Sequence, residues 1–185
     1  LDADAERLSL SDCAKRIEEI KPRLLLFVLY GQNPNSGTTS MVGAVDLSNY
    51  IKNNEINVPI AFVGSHISAL PKEVLAIESI DIVLLNEGTY ALHNLLKSDL
   101  NFDLPKIKGI GYKINDGSNT ELILNKPEIP VPQDKMDIDL PGYAWDLLPF
   151  KNKPLDLYRA HFWHAEFNHN KRTPFAALYT SLGCQ

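Results

Sequence analysis

Three uninterrupted apolar runs of strand length, each followed by a polar turn and a helix-like segment, constrain this chain more than any other feature. They are Leu24 to Tyr30, Val58 to Val63 and Ile82 to Leu85. A strand with one face in water alternates apolar and polar residues, whereas an uninterrupted run requires cover on both faces, as in a parallel sheet with helices against it. The intervening segments have helical spacing. Leu10, Cys13, Ala14, Ile17 and Ile20 follow the candidate caps Ser9 and Ser11 and stop at Pro22. Met41, Ala44, Val45 and Ile51 predict a helix over residues 41–53, Pro71 opens one over residues 72–78, and Ala91, Leu92, Leu95 and Leu96 mark another. Strands alternating with short helices predict an α/β fold, a Rossmann-like, flavodoxin-type doubly wound parallel sheet.

Beyond residue 104 the pattern changes. Residues 107–114 and 121–124 flank the turn-rich segment Asn115 to Asn119 and predict a β-hairpin. Six prolines between residues 125 and 157 exclude long helices and predict a linker pinned by Tyr143, Trp145 and Phe150. Leu1 to Ala5 reads as the tail of a strand and Ala176 to Gly183 as a strand that stops at its end, so the chain is expected to be a piece of a longer polypeptide. The expected divisions are a Rossmann-like domain over residues 1–104, a hairpin extension over 105–126, a linker over 127–174 and the start of a further domain over 175–185.

The 185 residues, 44% of them hydrophobic, suffice for a core without disulfide or metal staples. Two cysteines make no disulfide framework, which fits a reducing cytoplasm. With 18 Lys and Arg against 23 Asp and Glu the net charge is −5, so a polyanion such as nucleic acid is not the expected partner. No apolar run approaches the roughly 20 residues that span a bilayer.

In open parallel sheets ligands bind beyond the carboxyl ends of the strands, near a reversal of strand order. Four loops lead there. Asp2 and Asp4 could form an acidic pair, but no Lys follows a last strand as a phosphoacceptor domain would require. Gly31 to Thr39 is rich in Gly, Ser and Thr and contributes Gln32, Asn33, Ser36 and Thr38; without the phosphate-pairing Lys it suits an uncharged, amide-rich ligand as well as it suits simple helix capping. Gly64, Ser65 and His66 end the second run, and no second ligand stands at metal spacing from His66. Asn86, Glu87, Gly88 and Thr89 form a tight turn in which Glu87 could accept hydrogen bonds from a ligand or favour the helix start. His93 reads as an exposed helix residue, and His161, His164 and His169 as packing partners of Phe162 and Trp163.

In this order the loops resemble the N-terminal cobalamin-binding domain of the cobalamin-dependent radical S-adenosylmethionine enzymes. The matching pieces are Leu1-Asp2-Ala3, Ile20-Lys21-Pro22, Gly64-Ser65-His66 through Leu70-Pro71, Asp81 to Thr89 and Ile107 to Tyr112. Ala177 to Cys184 looks like the first strand of the radical barrel running into the first Cys of a C-x-x-x-C-x-x-C motif. Single glycines stand at Gly64 and Gly88, where the family commonly has two glycines before the His and a Gly-Glu-Gly-Glu-like turn. The resemblance implies cobalamin held by Gln32, Asn33, Ser36, Thr38, Gly64, Ser65, His66 and Asn86 to Thr89. It implies the base-off form, because the Asp-x-His-x-x-Gly motif that supplies an axial His is missing. It also implies that Cys184 is a metal ligand of a 4Fe-4S cluster which, with S-adenosylmethionine and the rest of the barrel, acts on an unknown substrate by methyl transfer or related radical chemistry. The fragment itself would hold no catalytic residues. The alternative is a degenerate Rossmann-like module for docking or substrate recognition that binds no cofactor.

Overall fold

A computed structural model of the chain describes residues 1–30, 34–98, 103–115, 119–149 and 158–176. Gln32, Asn33 and Cys184 lie outside the described residues, as does the expected strand after Ala176. The chain forms two compact units, one of residues 14–140 and one of residues 1–13 with 141–185.

The larger unit is built on one five-stranded sheet. Its strands are β1 (Leu25–Leu29), β2 (Ile60–Gly64), β3 (Ile82–Leu84), β4 (Ile110–Asn115) and β5 (Thr120–Leu124), side by side in sequence order. β1 pairs β2 and β2 pairs β3 in parallel, with Phe27 opposite Phe62 and Phe62 opposite Val83. β4 joins β3 antiparallel and β5 pairs β4 antiparallel, so the expected hairpin segment continues the same sheet. The two parallel connections are α2 (Pro34–Asn53) and the pair α3 (Ser65–Ala69) and α4 (Pro71–Leu75); α5 (Thr89–Lys97) follows β3. Among the described strands the order contains no reversal, so the expected binding edge reduces to the carboxyl ends of β1, β2 and β3 with no switch point beside them.

Alternate residues of β2 and β3 enter two cores, as uninterrupted apolar runs require, whereas β1 stands at the edge of the described sheet and leaves Val28 62% exposed, so its run is not covered throughout on both faces. One joins Ile60, Phe62, Val83 and Leu29 to Met41, Ala44 and Ile51 of α2, Ile67 of α3, and Val74 and Leu75 of α4. The Phe27 and Phe62 rings lie 4.7 Å apart within it. The other joins Ala61, Val63, Ile82, Leu84, Ile110 and Tyr112 to Ala91 and Leu95 of α5. Two polar ties brace the strand starts. Asp81 accepts a hydrogen bond from the Ile60 backbone N–H at 2.8 Å and one from the Lys52 ammonium at 2.8 Å. Ser48 and Ser79 share a buried hydroxyl bond of 2.8 Å.

Local differences from the sequence reading have local causes. α2 begins at Pro34, not Met41, so Ser36 and Thr38 lie on a helix. A proline starts a helix at no hydrogen-bond loss, and the Thr39 and Ser40 hydroxyls turn back onto the Ser36 carbonyl within the helix, so these polar residues are accommodated there without a loop. In the smaller unit, residues 3–7 are turn and not a strand tail. The Glu6 and Leu8 amides bond to the Asp2 and Ala3 carbonyls, and the Asp2 carboxylate accepts from the Ala5 amide. Helix α1 (Leu10–Ile20), which contributes residues to both units, starts as expected at Ser9. There Ser9 and Asp12 exchange side-chain to backbone hydrogen bonds, a reciprocal capping box. Asp2 also takes a hydrogen bond from the Tyr158 hydroxyl, so its carboxylate serves the fold. His161 stacks on Trp163 at 4.3 Å and His169 meets Phe162 edge-on, while Arg172 lies 4.4 Å over the Phe162 ring, its Nε donating to the Ala160 carbonyl.

Gly64 is the tightest point of the sheet. A Cβ there would lie 2.3 Å from the Leu29 carbonyl oxygen and 2.8 Å from its carbon, both backbone atoms that cannot turn aside. Gly43, by contrast, lies on the exposed face of α2 with nothing within 4 Å of its would-be Cβ. Gly64→Ala is expected to destabilise the protein by about 2–4 kcal/mol through overpacking and backbone strain. Gly43→Ala is expected to stabilise it by about 0.4–1 kcal/mol through lost unfolded-chain entropy and better helix propensity. Urea unfolding of the two variants beside the parent measures both.

Candidate functional site

The carboxyl ends of β1, β2 and β3 bring three loops together. Leu29 leads to Tyr30 and on to the start of α2, Gly64 runs directly into α3, and Leu84 leads to the turn of residues 85–88 before α5. Of the sequence-derived candidates, Ser36, Thr38, Gly64, Ser65, His66, Asn86, Glu87, Gly88 and Thr89 are described.

Glycine lets these loops press on one another. A Cβ on Gly37 would lie 2.9 Å from Ser65 Oγ and 3.0 Å from the Leu29 carbonyl oxygen, so the first turn of α2 rests on the ends of β1 and β2. Gly88 has φ +70°, which favours glycine, and a Cβ there would meet Val63 at 2.8 Å. Gly64 and Gly88 are buried and shape the backbone without presenting side-chain surface. The groups at the rim are instead Thr38 and Asn86, both exposed, with Ser65, His66, Ser68 and Glu87 partly so.

Hydrogen bonds cross between the loops. Thr38 Oγ1 and His66 Nδ1 lie 3.1 Å apart, which couples α2 to α3. The Tyr30 hydroxyl donates to the Asn86 carbonyl at 2.7 Å, and the Asn86 N–H donates to Ser68 Oγ at 2.8 Å. Asn86 holds a left-handed φ of +56°, a conformation that Asn tolerates better than most residues. Glu87 accepts from the Val131 N–H at 3.3 Å. Thr38 and His66 are thereby joined, as are Asn86 and Glu87 to their neighbours, and Thr89 begins α5 beside them.

The sequence reading missed Tyr30 and Ser68. Tyr30 looked like the last residue of an apolar strand; the available signal was an amphipathic ring placed where the strand meets its ligand-side loop. Ser68 lies three residues beyond Ser65, so helical spacing carries the hydroxyl line along α3.

The rim carries no cation. None of the three described segments there, residues 34–40, 64–70 and 85–89, contains Lys or Arg. The rim offers hydroxyls, an imidazole, an amide and one carboxylate, and these suit a neutral ligand with amide or hydroxyl groups better than a phosphate. A cleft of about 900 Å³ opens at the other end of the strands, lined by Pro59, Glu78, Asp81, Lys113 and Thr120 among others. Its charged groups serve the fold. Lys113 donates to the Ile77 and Glu78 carbonyls, with burial pulling its pKa down, and Asp81 holds Lys52 and Ile60. Among the described residues no group of three or more His, Cys, Asp or Glu could hold a metal ion, and no helix is long and apolar enough to cross a membrane.

Burial, and secondarily the Glu87 carboxylate, push the Tyr30 phenol above its ordinary pKa of 10.0. The ionised phenolate is thus disfavoured in the folded chain relative to the unfolded one. The resulting stabilisation is complete below pH 10 and is lost as pH rises through the higher folded value. Ultraviolet titration against Tyr30→Phe should show a phenol ionising later than free tyrosine, and Glu87→Gln should lower its midpoint.

No protein-family model matches the chain, and no curated protein matches it. Among solved structures it is similar to the apo, selenomethionine-labelled form of OxsB, a cobalamin-dependent S-adenosylmethionine radical enzyme. The identity is 15% and the TM-score 0.40, with 73% of this chain and 19% of that chain covered. The matched region is therefore about a fifth of that protein's length.

Proposed function

We propose that residues 14–140 form a cobalamin-binding module of a radical S-adenosylmethionine enzyme. The observation that carries this reading is the meeting of three rim loops, free of Lys and Arg, at the carboxyl ends of β1, β2 and β3, with Thr38, His66 and Asn86 at the rim. The corrin periphery bears neutral amide side chains, and hydroxyl, imidazole and backbone donors and acceptors at such a rim fit them. The order of the sequence motifs supports the same reading. Ser36, Thr38, Ser65, His66 and Asn86 would hold the cofactor, with Gln32, Asn33 and Thr89 as further contacts. Gly64 and Gly88 would act through the shape they give the backbone.

The base-off form of the cofactor, with no protein histidine on cobalt, follows in this reading from the missing Asp-x-His-x-x-Gly motif, and His66 would serve as a rim contact held by Thr38 through Nδ1. Bound cobalamin would supply methyl transfer or related radical chemistry in the full enzyme. Cys184 would belong to the 4Fe-4S cluster that binds S-adenosylmethionine in the barrel.

The alternative, a docking module without cofactor, draws on one observation: internal packing alone accounts for Gly64 and Gly88. Rim side chains separate the readings. The chain mixed with hydroxocobalamin should retain a corrinoid absorption spectrum through gel filtration, and Thr38→Val with His66→Phe should weaken retention about tenfold or more through two lost polar contacts. A parent chain that emerges without corrinoid, where a known cobalamin domain retains it, overturns the cofactor reading.

A further inference from the structure

The segment after β5 returns to the candidate site. Asn125 anchors its start, the side-chain amide donating to the Leu104 and Ile107 carbonyls at 2.6 and 2.7 Å. Gly109 donates its N–H to the Lys126 carbonyl, and a Cβ on Gly109 would lie 2.7 Å from Glu128 Cβ and 3.3 Å from Ala91 Cβ. That close approach brings the segment onto α5. It then follows the helix toward the ligand edge: Glu128 accepts from the Asn94 amide at 3.4 Å, and Val131 donates its N–H to Glu87 at 3.3 Å. Five residues of helical rise from Asn94 to Thr89 are about 8 Å, with the turn at residues 87–88 beyond them, and three extended residues, about 10 Å, cover that distance. The strap therefore climbs from the body of α5 to the turn before it. Val131 is buried there, 8% exposed, whereas Ile129 stays 62% exposed. Farther on, the Tyr90 hydroxyl donates to Asp139 at 2.5 Å, so the chain stays beside the first turn of α5.

We infer that Glu87 is a positioning residue, a latch by which the turn of residues 85–88 seats the strap around Val131 as a wall of the ligand site. Pro130 and Pro132 flank Val131 and have no N–H of their own, so the Val131 amide is the donor by which this stretch can be held. A tie through one carboxylate at a partly exposed turn opens locally without unfolding the sheet. Ligand occupancy and strap seating are then coupled, because Asn86 and Glu87 belong to the same turn. The ligand's identity rests on the cofactor reading; the latch does not.

Hydrogen exchange of the full chain without ligand tests the latch. Glu87→Ala should speed exchange of the Val131 amide about fivefold to tenfold while amides of β2 and α2 keep their protection, and Glu87→Gln, which retains an acceptor oxygen, should stay near the parent. Val131→Pro removes the donor and should likewise speed exchange of the Ile129 amide, which donates to the Glu128 carboxylate held beside α5. Unchanged exchange in both Glu87→Ala and Val131→Pro overturns the latch. In a second arm, hydroxocobalamin retained by the parent should slow exchange across residues 129–133; retained corrinoid with unchanged exchange overturns the wall. A parent that retains no corrinoid overturns the cofactor reading and the wall together, and the latch stands or falls on the ligand-free exchange.

Discussion

The closest backbone approach at the ligand edge, Gly64 against the Leu29 carbonyl, governs what that edge can be. A side chain at this position would stand 2.3 Å from the carbonyl oxygen, so β2 can end flush with β1 only as glycine. Because β2 ends flush, α3 starts with no intervening loop and Ser65 and His66 appear directly at the strand end. The first turn of α2 can then settle on both strands through Gly37, which brings Thr38 to His66. One missing Cβ thus sets the position of two helices and of the polar pair between them.

The rim is organised by hydrogen bonds between elements distant in sequence. Tyr30 and Ser68 fasten the two sides of the Asn86 peptide, and Glu87 reaches Val131, 44 residues away. Each contact is worth only about 1 kcal/mol net, since water would serve the same groups in the unfolded chain. Their consequence lies in geometry: they hold a left-handed residue and two neighbouring turns where the glycines have brought the backbones together. The opposite end of the sheet uses its charged groups differently, with Asp81 and Lys113 spent on the backbone of the parallel strands and the α4–β3 connection.

Legibility followed the range of the interaction. The apolar runs announced strands covered on both faces because double burial removes the polar alternation; this holds for β2 and β3, whose alternate residues enter separate cores, but not for all of β1, where an edge position leaves Val28 exposed. Ser9 was legible as a cap because its partner, Asp12, is three residues away. The start of α2 was misplaced because Ser, Thr and Asn read as loop residues, whereas Pro34 at the first helical position suits a helix start and the Thr39 and Ser40 hydroxyls bond back within the helix. Leu1 to Ala5 resembled a strand tail by composition, yet a local turn satisfies the backbone there.

Sequence alone determined the alternation of strands and helices, the absence of cations from the rim loops and the set of polar residues available at the carboxyl ends of the strands. These properties reside in residue type and spacing, which chain folding does not alter. Only the tertiary structure decided that Gly64 and Gly88 are packing residues, that Thr38 meets His66, that Tyr30 and Ser68 clasp Asn86 and that Glu87 holds the strap at Val131. Those outcomes depend on which backbones approach within a few ångströms, a property of strand order and helix docking that no local stretch of sequence carries.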